Sequence, residues 1–525
     1  MLKVLLLQKE VFDLKVVTSQ EMRFIDKITI EKYGISGIVL MENAGRYIAD
    51  VCENYIVKNN AKNILIVVGK GNNGGDGVVV GRLLKNRGYN VSIVIIPKRE
   101  EFKGDAKINV DIAYNIGLNI KNYSDKILNE EIEKCDFILD AIFGTGISGE
   151  VREPYKSIID TINESGKYII SVDIPSGLNG DTGKVCGSAI IANETATINL
   201  YKRGLLLDKS YMYTGKISVG DISIPDIIYK NDIEIKCNML TEKEAKELMP
   251  KRIKRSNKGT YGKLFVLAGS RGMTGAAYLC CKSAYRTGCG LVYSCIVKSA
   301  VNVIQNILPE AVCIPLEEKD GFVCNECNEN LLSQIKNASA LIIGPGLGNN
   351  DEVYNVVKNV VLNAEIPMVI DADGINVLSR NVDILNNIKL TPIITPHPKE
   401  MERLTGIPVN DILENTVDVA LDFAKKYNCV VLLKDSRTII ANPNGDFYIN
   451  TRGNSSLAKG GSGDVLTGII GSLLAQGLKP FESAVLGAYI HGVTGEKAKE
   501  IFTPYGALAG DFCDIIPKAL QSILE

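Results

Sequence analysis

The sequence predicts an α/β protein with two successive domains, the first of them built around a doubly wound parallel sheet. In both halves of the 525-residue chain, short apolar runs of strand length alternate with longer apolar patterns of helical period. Turns rich in glycine, asparagine, aspartate and serine follow several of these runs, as they do at the carboxyl ends of strands in doubly wound sheets. The two halves show no repeat that aligns, so we expect two α/β domains of different construction.

A charged and irregular stretch separates the two series of strands and helices. Residues 225–260 include Pro225, Pro250 and the basic run 251–255, which we interpret as a solvated linker face. We place the domain boundary near residue 235. The predicted domains are therefore residues 1–235 and 236–525.

Composition and charge exclude several classes of protein. The formal net charge is −2, so no basic footprint points to nucleic acid. No apolar run reaches transmembrane length, and the run from Val4 to Leu7 is too short for a signal peptide. The thirteen cysteines lack framework spacing, and we interpret the lone C-x-x-C at Cys324 and Cys327 as a reduced loop rather than a metal or redox site. These features indicate a cytoplasmic protein without a nucleic-acid or membrane partner.

A glycine-rich run follows the first strand pattern of the N-terminal half, residues 63–68. Residues 69–77 formally match the G-x-G-x-x-G fingerprint and precede a helical pattern. The next strand ends in Pro-Lys-Arg at 97–99, without the acidic residue that would hold a ribose hydroxyl, which argues against an ordinary dinucleotide site. We instead expect residues 69–77 to form a loop that presents two amides and a carboxylate.

Oxygen-bearing side chains follow neighbouring strands of this half. Asp140 and Asp173 come directly after two further predicted strands, and Ser176 follows Asp173 closely. Ligands bind at the carboxyl ends of strands in doubly wound sheets, so these residues and Asn73 should meet at one edge. Each alone could be a cap or a turn residue. Together, their hard oxygens suit an oxygen-coordinated cation or a polyol-like ligand.

The run 457–468 is the main functional signal of the C-terminal half. Gly460, Gly461 and Gly463 precede Asp464, and a helical apolar pattern follows at once. Glycines let the backbone approach a ligand closely, and a helix N-terminus attracts an anion, so a phosphate could bind here. Asp464 would then act as a base on a hydroxyl beside the phosphate. The alternative is a glycine-rich turn with Asp464 as the helix N-cap.

Four motifs of the N-terminal half occur together in one known family. They are MENAG at 41–45, NNGGDG at 72–77, DAIFGTG at 140–146 and VDIPSG at 172–177. With these motifs, residues 15–225 resemble the N-terminal, epimerase module of the bifunctional NAD(P)H-hydrate repair enzymes.

Three motifs of the C-terminal half point to the same family. They are GPGLG at 344–348, TPHP at 395–398 and KGGSGD at 459–464. Residues 237–525 resemble the family's ADP-dependent dehydratase module, which has a ribokinase-like fold. The resemblance thus implies a Rossmann-like doubly wound domain followed by a ribokinase-like α/β domain. One departure is KDSRT at 434–438, where the family usually has Lys-Gly before a short polar stretch.

The resemblance implies repair of nicotinamide cofactors damaged by addition of water at C6 of the reduced ring. The first module would interconvert the R and S hydrates, NAD(P)HX. The second would dehydrate the S form to NAD(P)H while consuming ADP. The cofactors implied are K⁺ and Mg²⁺, with ADP as co-substrate, and the chain is expected to form a homo-oligomer.

The family's site residues in the first module carry over by position. Potassium would be held by Asn73, Asp140 and Ser176, in agreement with the hard-oxygen interpretation, and Asp173 is the candidate acid/base for epimerisation. The hydrate pocket would be lined by Asp173 and by Asn72, Asn73, Gly74, Gly75, Asp76, Gly144, Thr145, Gly146, Ile147, Ser148, Gly149 and Glu150.

In the second module, the resemblance makes Asp464 the catalytic base and places Ala276, Gly346 and His397 against the hydrate. The implied nucleotide-binding residues are Lys434, Asp435, Ser436, Arg437, Thr438, Asn454, Lys459, Gly460, Gly461, Ser462 and Gly463. Phosphorylation would convert the ring hydroxyl into a good leaving group, which the lone pair of the ring nitrogen could expel.

Two other interpretations compete with repair. A small-molecule kinase for a vitamin precursor or sugar, fused to a ligand-binding domain, would release a stable phosphorylated product and leaves the N-terminal module unexplained. A binding protein without catalysis would have no need of Asp464 after the glycine-rich run.

Overall fold

The structure, a computed structural model, describes residues 14–147 and 149–525. These residues form two compact units, Leu14–Cys237 and Asn238–Glu525. In each unit, helices pack on a sheet that is wholly or mainly parallel. The α/β class predicted for both halves is confirmed.

The first unit alternates strands and helices along the chain. Its strands are β1 (Leu14–Val17), β2 (Asn63–Val68), β3 (Asn90–Ile95), β4 (Ile120–Asn122), β5 (Phe137–Ala141), β6 (Tyr168–Val172), β7 (Glu194–Ile198), β8 (Tyr201–Lys202) and β9 (Lys216–Gly220). Its helices are α1 (Ser19–Glu31), α2 (Gly37–Asn59), α3 (Asn72–Asn86), α4 (Gly104–Asn115), α5 (Asp125–Lys134), α6 (Tyr155–Glu164), α7 (Arg203–Leu206), α8 (Tyr211–Thr214) and α9 (Ile227–Asn231).

The sheet of the first unit has seven strands in the order β4-β3-β2-β5-β6-β7-β9, and every pairing is parallel. The chain runs outward from β2 to β4 and then returns to place β5 on the other side of β2. This reversal of direction opens a crevice at the carboxyl ends of β2 and β5, where doubly wound sheets bind their ligands.

Successive side chains of β2 point to opposite faces of the sheet, and helices cover both faces. Ile64, Ile66 and Val68 pack with apolar residues of α2, α3 and α4. Leu65 and Val67 pack with residues of α5 and α6 on the opposite face. The sequence of a strand that is buried on both faces is a continuous apolar run. Residues 63–68 have this pattern, which predicted the strand.

The second unit starts at the boundary strand β10 (Cys237–Met239). Its other strands are β11 (Lys263–Leu267), β12 (Leu291–Val297), β13 (Val312–Leu316), β14 (Glu318–Lys319), β15 (Phe322–Val323), β16 (Ala340–Ile343), β17 (Met368–Ile370), β18 (Ile393–Ile394), β19 (Val430–Leu433), β20 (Thr438–Ala441) and β21 (Phe447–Asn450). Its helices are α10 (Glu242–Leu248), α11 (Thr274–Arg286), α12 (Val301–Ile307), α13 (Asn328–Ile335), α14 (Asp351–Asn363), α15 (Asp373–Leu378), α16 (Pro398–Thr405), α17 (Val409–Glu414), α18 (Thr416–Tyr427), α19 (Ser462–Ala475), α20 (Pro480–Gly506, with a kink at Thr503) and α21 (Ala509–Leu524).

The main sheet of the second unit runs in the order β13-β12-β11-β16-β17-β18-β19-β20-β21. The pairings from β13 to β19 are parallel. The pairings β19–β20 and β20–β21 are antiparallel, so residues 438–450 form a hairpin. The carboxyl ends of β16, β17, β18 and β19 therefore lie side by side at one edge of the sheet.

The first helix begins at Ser19 and is capped by Thr18, in a capping box with Glu21. The expectation that residues 69–77 form a loop is wrong for most of that run. The run from Asn72 to Gly77 is the first part of α3 and not a loop, because Gly71 is the N-cap. Glycine content suggested a loop, but tertiary packing overrides that propensity here.

Two further features concern the whole of the described chain. None of its helices combines the length and the apolar character needed to cross a lipid bilayer. The thirteen cysteines counted in the sequence are free thiols, and most of them, including Cys324 and Cys327, are buried.

Helix α19, which carries Asp464, packs almost backbone to backbone against α11. A Cβ atom at Gly468 would lie 2.0 Å from Ser283 Oγ and 2.4 Å from the carbonyl oxygen of Cys280. We therefore expect Gly468→Ala to lower the stability of the second unit by about 1–3 kcal/mol, since a carbonyl cannot move without shifting its helix.

Differential scanning calorimetry of the intact chain measures this effect. Gly510→Ala is the matched control, because Gly510 is also helical and a Cβ there meets nothing within 4 Å. Equal melting temperatures for the two variants would contradict the close approach of α19 and α11.

Candidate active sites

The first cluster of polar side chains lies at the carboxyl edge of the seven-stranded sheet. There β2, β5 and β6 are adjacent, and the residues that follow them border a cavity of about 720 Å³. The predicted pocket residues that line this cavity are Asn72, Asn73, Asp76, Gly144, Thr145, Gly146, Ile147, Glu150 and Asp173.

The remaining predicted pocket residues do not line the cavity. Gly74 and Gly75 are buried in α3, and a Cβ atom at Gly74 would lie 2.0 Å from the carbonyl oxygen of Gly69. Gly74 thus allows α3 to start directly against the end of β2. Gly149 has a φ of +80° and open space around it. Ser148 lies outside the described residues.

The three residues predicted to hold a cation come together around the peptide of Phe143. Asn73 Nδ2 donates to the carbonyl oxygen of Phe143 at 2.9 Å. Ser176 Oγ donates to Asp140 Oδ1 at 2.5 Å and accepts from Phe143 N at 2.8 Å. The carboxylate also accepts from Ser176 N at 2.9 Å and from Ser171 Oγ at 2.8 Å. One buried oxygen of the group, Asn73 Oδ1, has no hydrogen-bond partner among the described residues.

Asp140 is fully buried, and this burial raises the pKa of its carboxyl although hydrogen bonds from Ser176 and Ser171 oppose the shift. A buried carboxylate held by neutral donors keeps an uncompensated charge. The alternative that Asp140 is a turn residue has partial support, because its Oδ1 also accepts from Ile142 N at 3.2 Å. The bonds from Ser171 and Ser176 show that this carboxylate does more than close a turn.

Asp173 is held in a strained conformation directly after β6. Its φ is +64°, a region that residues other than glycine rarely occupy and that often marks a functional position. Its Oδ1 accepts from Thr197 Oγ1 at 3.1 Å, from Ile198 N at 3.0 Å and from the ammonium of Lys202. The Lys202 side chain is only 1% exposed, so the two residues form a buried ion pair.

The charged residues of this cavity that sequence reasoning missed include Lys202 and Asp26. Burial raises the pKa of Asp26 to about 6, with Lys202 opposing the shift and Asp173 adding to it. Burial also raises the pKa of Asp76 well above its ordinary value. The only signal for Lys202 in the sequence is a lysine set among the apolar residues of 198–207, and Asp26 carries no signal beyond an ordinary helix.

The second cluster lies at the carboxyl edge of the other sheet, below the N-terminus of α19. The N-cap of that helix is Gly461, with a φ of +88°, and Asp464 is the third helical residue. The alternative that Asp464 is the N-cap is therefore wrong. The carboxyl is left available for chemistry at a helix end that attracts anions.

The pKa of the Asp464 carboxyl depends on its burial and on neighbouring charges. Burial raises the pKa of its carboxyl to about 7, Asp371 and Asp373 add to the shift, and Lys434 opposes it. A group with a pKa near neutrality exchanges protons readily at physiological pH. This environment suits a general base.

A buried ion pair joins the ends of β17 and β19 beneath Asp464. Lys434 Nζ lies 2.8 Å from Asp371 Oδ1, and Thr467 Oγ1 of α19 donates to Asp371 Oδ2 at 2.6 Å. Burial raises the pKa of Asp371, but Lys434 and Thr467 together hold it below its ordinary value. Glu400 lies 3.9 Å from the same ammonium.

Of the residues predicted to contact the hydrate, Gly346 and His397 lie on loops and Ala276 lies in the first turn of α11. A Cβ atom at Gly346 would lie 3.0 Å from Ala276 Cβ, so these two predicted residues are adjacent. His397 caps α16, with Nδ1 accepting from Lys399 N at 3.1 Å and Glu400 N at 3.2 Å. Burial and the charge of Lys434 lower the pKa of His397, which favours the neutral ring.

The predicted nucleotide-binding residues fall on two segments. Lys434, Asp435, Ser436, Arg437 and Thr438 form the turn between β19 and β20, and Asn454, Lys459, Gly460, Gly461, Ser462 and Gly463 lead into α19. A Cβ atom at Gly463 would lie 3.6 Å from Lys434 Nζ, so the segments meet at that point. Elsewhere they are anchored to other parts of the unit.

These anchors hold the glycine-rich segment in place. Asn454 Nδ2 donates to the carbonyl oxygen of Gly495 at 3.0 Å, and Lys459 Nζ donates to that of Tyr505 at 2.8 Å. Ser462 Oγ lies 3.1 Å from His491 Nε2, a residue that sequence reasoning missed. Burial lowers the pKa of His491 to about 4, so it is neutral at physiological pH.

Comparison with known proteins finds relatives of both domains. Residues 37–204 match the family described as YjeF-related protein N-terminus, and residues 264–518 match the family described as NAD(P)H-hydrate dehydratase. A bifunctional NAD(P)H-hydrate repair enzyme from Moorella thermoacetica is 36% identical over 515 residues, which cover 97% of this chain and 97% of that protein. The chain belongs to the bifunctional NAD(P)H-hydrate repair enzyme family.

Other relatives extend over both domains as well. The bifunctional repair enzyme of Thermofilum pendens is 35% identical over 98% of this chain and 97% of its own length, and that of Escherichia coli 32% identical over 93% and 90%. A solved ADP/ATP-dependent NAD(P)H-hydrate dehydratase from Bacillus subtilis is 30% identical, covers 54% of this chain and 98% of its own, and has a TM-score of 0.46. The repair enzymes that span both domains confirm the family recognised from the seven sequence motifs.

Proposed function

We propose that the two clusters are the two active sites of this repair enzyme. The domain of residues 1–235 epimerises the R and S hydrates of NAD(P)H, and the domain of residues 236–525 dehydrates the S hydrate with a nucleotide as co-substrate. The observation that carries the proposal is that each domain places a half-buried carboxylate, Asp173 or Asp464, at the carboxyl edge of its own sheet, in a chain whose relatives span both domains. A kinase fused to a binding domain leaves the first cluster without a function.

In the dehydratase, the free N–H groups at the start of α19 would bind the nucleotide phosphates, since a helix N-terminus favours anions. Asp464 would take the proton of the C6 hydroxyl as that oxygen attacks the terminal phosphoryl group of ADP. AMP would leave, and the resulting phosphate ester at C6 is a good leaving group. The lone pair of the ring nitrogen would expel it as inorganic phosphate to give an N1=C6 iminium ion, and loss of a C5 proton to solvent would restore the C5=C6 double bond of the conjugated ring. The adjacent Lys434 would offset part of the phosphate charge.

Mg²⁺ would enter this site with the phosphates rather than occupy a protein cage. No group of three or more histidine, cysteine, aspartate or glutamate side chains is arranged for a metal ion in the ranges that the structure describes. Mg²⁺ is commonly held by substrate phosphates and one or two carboxylates. Its chemical contribution would be to neutralise charge on the transferred group.

In the epimerase, the oxygens of Asn73, Asp140 and Ser176 fit a potassium ion. The unpartnered buried oxygen of Asn73 and the uncompensated carboxylate of Asp140 both gain from a nearby cation. All three are hard donors, which suits an alkali or alkaline-earth ion rather than zinc. When bound, the ion would supply positive charge that fixes the Asn73 amide at the cavity wall.

Asp173 would be the acid/base of the epimerisation. Its Oδ1 carries three hydrogen bonds, and Oδ2 is left for the substrate. The ion pair with Lys202 fixes the orientation of the carboxylate. The homo-oligomeric state and the cytoplasmic location drawn from the sequence stay predictions.

The assignment of Asp464 makes a kinetic prediction. Asp464→Asn should lower the dehydratase kcat by roughly 10²–10⁴-fold, because the amide cannot accept the hydroxyl proton. In the parent chain, dehydratase kcat/KM should rise about tenfold per pH unit below the pKa of about 7 and level off above it, since only the carboxylate acts as base.

The measurement is NAD(P)H formation from the S hydrate and ADP, with nucleotide affinity determined by calorimetry. Epimerisation by the same variant and full dehydratase activity of Glu365→Gln, an exposed acid of the same domain, are the controls. Near-normal turnover of the Asn variant, or a flat pH profile in the parent chain, would sink the base assignment.

The cation site makes a second prediction. Epimerisation should weaken when potassium is replaced by tetramethylammonium at constant ionic strength, because that ion is too large for a site closed by Asn73 and Asp140. Asp140→Asn should raise the potassium concentration needed for half-maximal activity, whereas Glu133→Gln, on an exposed surface, should not.

Anomalous scattering from a thallium-soaked crystal would locate the ion directly. The expected peak lies between Asn73, Asp140 and Ser176. Absence of that peak, together with unchanged epimerase activity in potassium-free buffer, would remove the cation from this site.

A further inference from the structure

One carboxyl group of the first cavity has no role in the function proposed above. Asp26 lies on α1 and lines the same cavity as Asp173 and Lys202. No described residue gives its carboxyl a hydrogen bond, and the charges of Lys202 and Asp173 reach it directly. Its hydrogen-bonding capacity is therefore left for a ligand.

A second buried carboxyl opens onto this cavity and points to a ligand independently. Asp76 is 8% exposed, lines the cavity, and interacts with Asp173, Asp26 and Lys202 through charge without a hydrogen bond to any of them. A buried carboxyl without a partner costs free energy unless a ligand satisfies it. The wall is therefore suited to the hydroxyl and carboxamide groups of a hydrated nicotinamide ring.

We propose that Asp26 is the second acid/base catalyst of the epimerisation, giving a proton to the ring nitrogen while Asp173 takes one from the C6 hydroxyl. This inference rests on the epimerase function proposed for the cavity. An acid and a base need different environments, and these two carboxyls have them. Asp173 is ion-paired with Lys202, and its Oδ1 already accepts hydrogen bonds from Thr197 and Ile198. Asp26 is half-buried and has no ion-pair partner among the described residues.

The reaction balances without a co-reactant. C6 carries both the hydroxyl and the ring nitrogen N1, so it is a hemiaminal carbon. Asp173 takes the hydroxyl proton, C6–O becomes a carbonyl, the C6–N1 bond breaks with its electron pair on N1, and Asp26 protonates N1. The ring is then open, with an aldehyde at C6.

Rotation about C5–C6 presents the other face of the aldehyde to N1. N1 attacks that face and returns its proton to Asp26, and the alkoxide recovers a proton from Asp173. C6 is inverted, and both carboxyls return to their starting protonation states. The same route serves both directions, as an epimerase requires.

The electrostatic environment of Asp26 fits a proton donor. The groups that interact with it through charge are Asp76 on α3, Asp173 after β6, Lys202 on β8 and Tyr229 on α9. Burial, opposed by Lys202 and reinforced by Asp173, raises the pKa of Asp26 to about 6, so a useful fraction is protonated near neutrality.

The test compares Asp26→Asn with Asp26→Glu in the full chain, following R and S hydrates by chromatography. Asparagine keeps the shape and a hydrogen-bond donor but has no transferable proton, so epimerase kcat should fall roughly 10²–10⁴-fold. Glutamate should restore part of the rate. Glu31→Gln, an exposed acid on the same helix, should match the parent chain.

A pH profile separates catalysis from positioning. In the parent chain, epimerase kcat/KM should fall as pH rises above the pKa of about 6, since only protonated Asp26 donates, and Asp26→Asn should lose this limb. Dehydratase activity on the S hydrate should be unchanged in every variant, which confines the effect to the first unit, and the activity that Asp26→Glu restores shows that this unit is folded.

The outcomes distinguish this inference from the proposed function. A near-normal rate and an unaltered pH profile in Asp26→Asn, with a large loss in Asp173→Asn, would overturn the role of Asp26 alone. Near-normal rates in both variants would remove epimerisation from this cavity.

Discussion

The chemistry of both domains depends on one buried ion pair in each. Lys202 pairs with Asp173 in the first domain, and Lys434 pairs with Asp371 in the second. Removing one member of such a pair leaves an uncompensated buried charge and typically costs about 3–5 kcal/mol. Each pair also joins segments distant in sequence at the carboxyl edge of a parallel sheet, so it holds the site together as well as setting its charge.

Each site has one lysine ammonium and several carboxyl groups, so some negative charge is left uncompensated. The carboxyls that carry this charge are the ones with a raised pKa. Asp26 and Asp76 face the charge of Asp173, and Asp464 faces those of Asp371 and Asp373. Burial removes the water that would otherwise stabilise these anions, so the pKa of each carboxyl rises above its ordinary value. The lysines limit this rise in both sites. The balance between burial and a single ammonium therefore decides which carboxyl holds a proton.

Site residues that belong to a local sequence motif could be predicted from the sequence. Site residues that reach the cavity only through tertiary packing could not. Asp140, Asp173 and Asp464 were found because each follows a strand or glycine-rich run that marks an edge of the sheet. Asp26 and Lys202 were missed because α1 and β8 reach the cavity only through tertiary packing. The residues of 72–77 were mistaken for a loop, since their glycines serve close packing of α3 against β2 rather than a turn.

The two sites raise the pKa of a carboxyl for opposite purposes, and this couples the steps through pH. As the proposed base of the dehydratase, Asp464 would act when it has lost its proton, so dehydration would become faster as pH rises toward about 7. Asp26 acts when it holds its proton, so epimerisation declines as pH rises beyond about 6. With a mixture of hydrates in alkaline solution, the S form would then be consumed faster than epimerisation of the R form can replace it, and the R form would be left behind. At lower pH dehydration would become the slower of the two steps, because less of Asp464 is then present as the carboxylate.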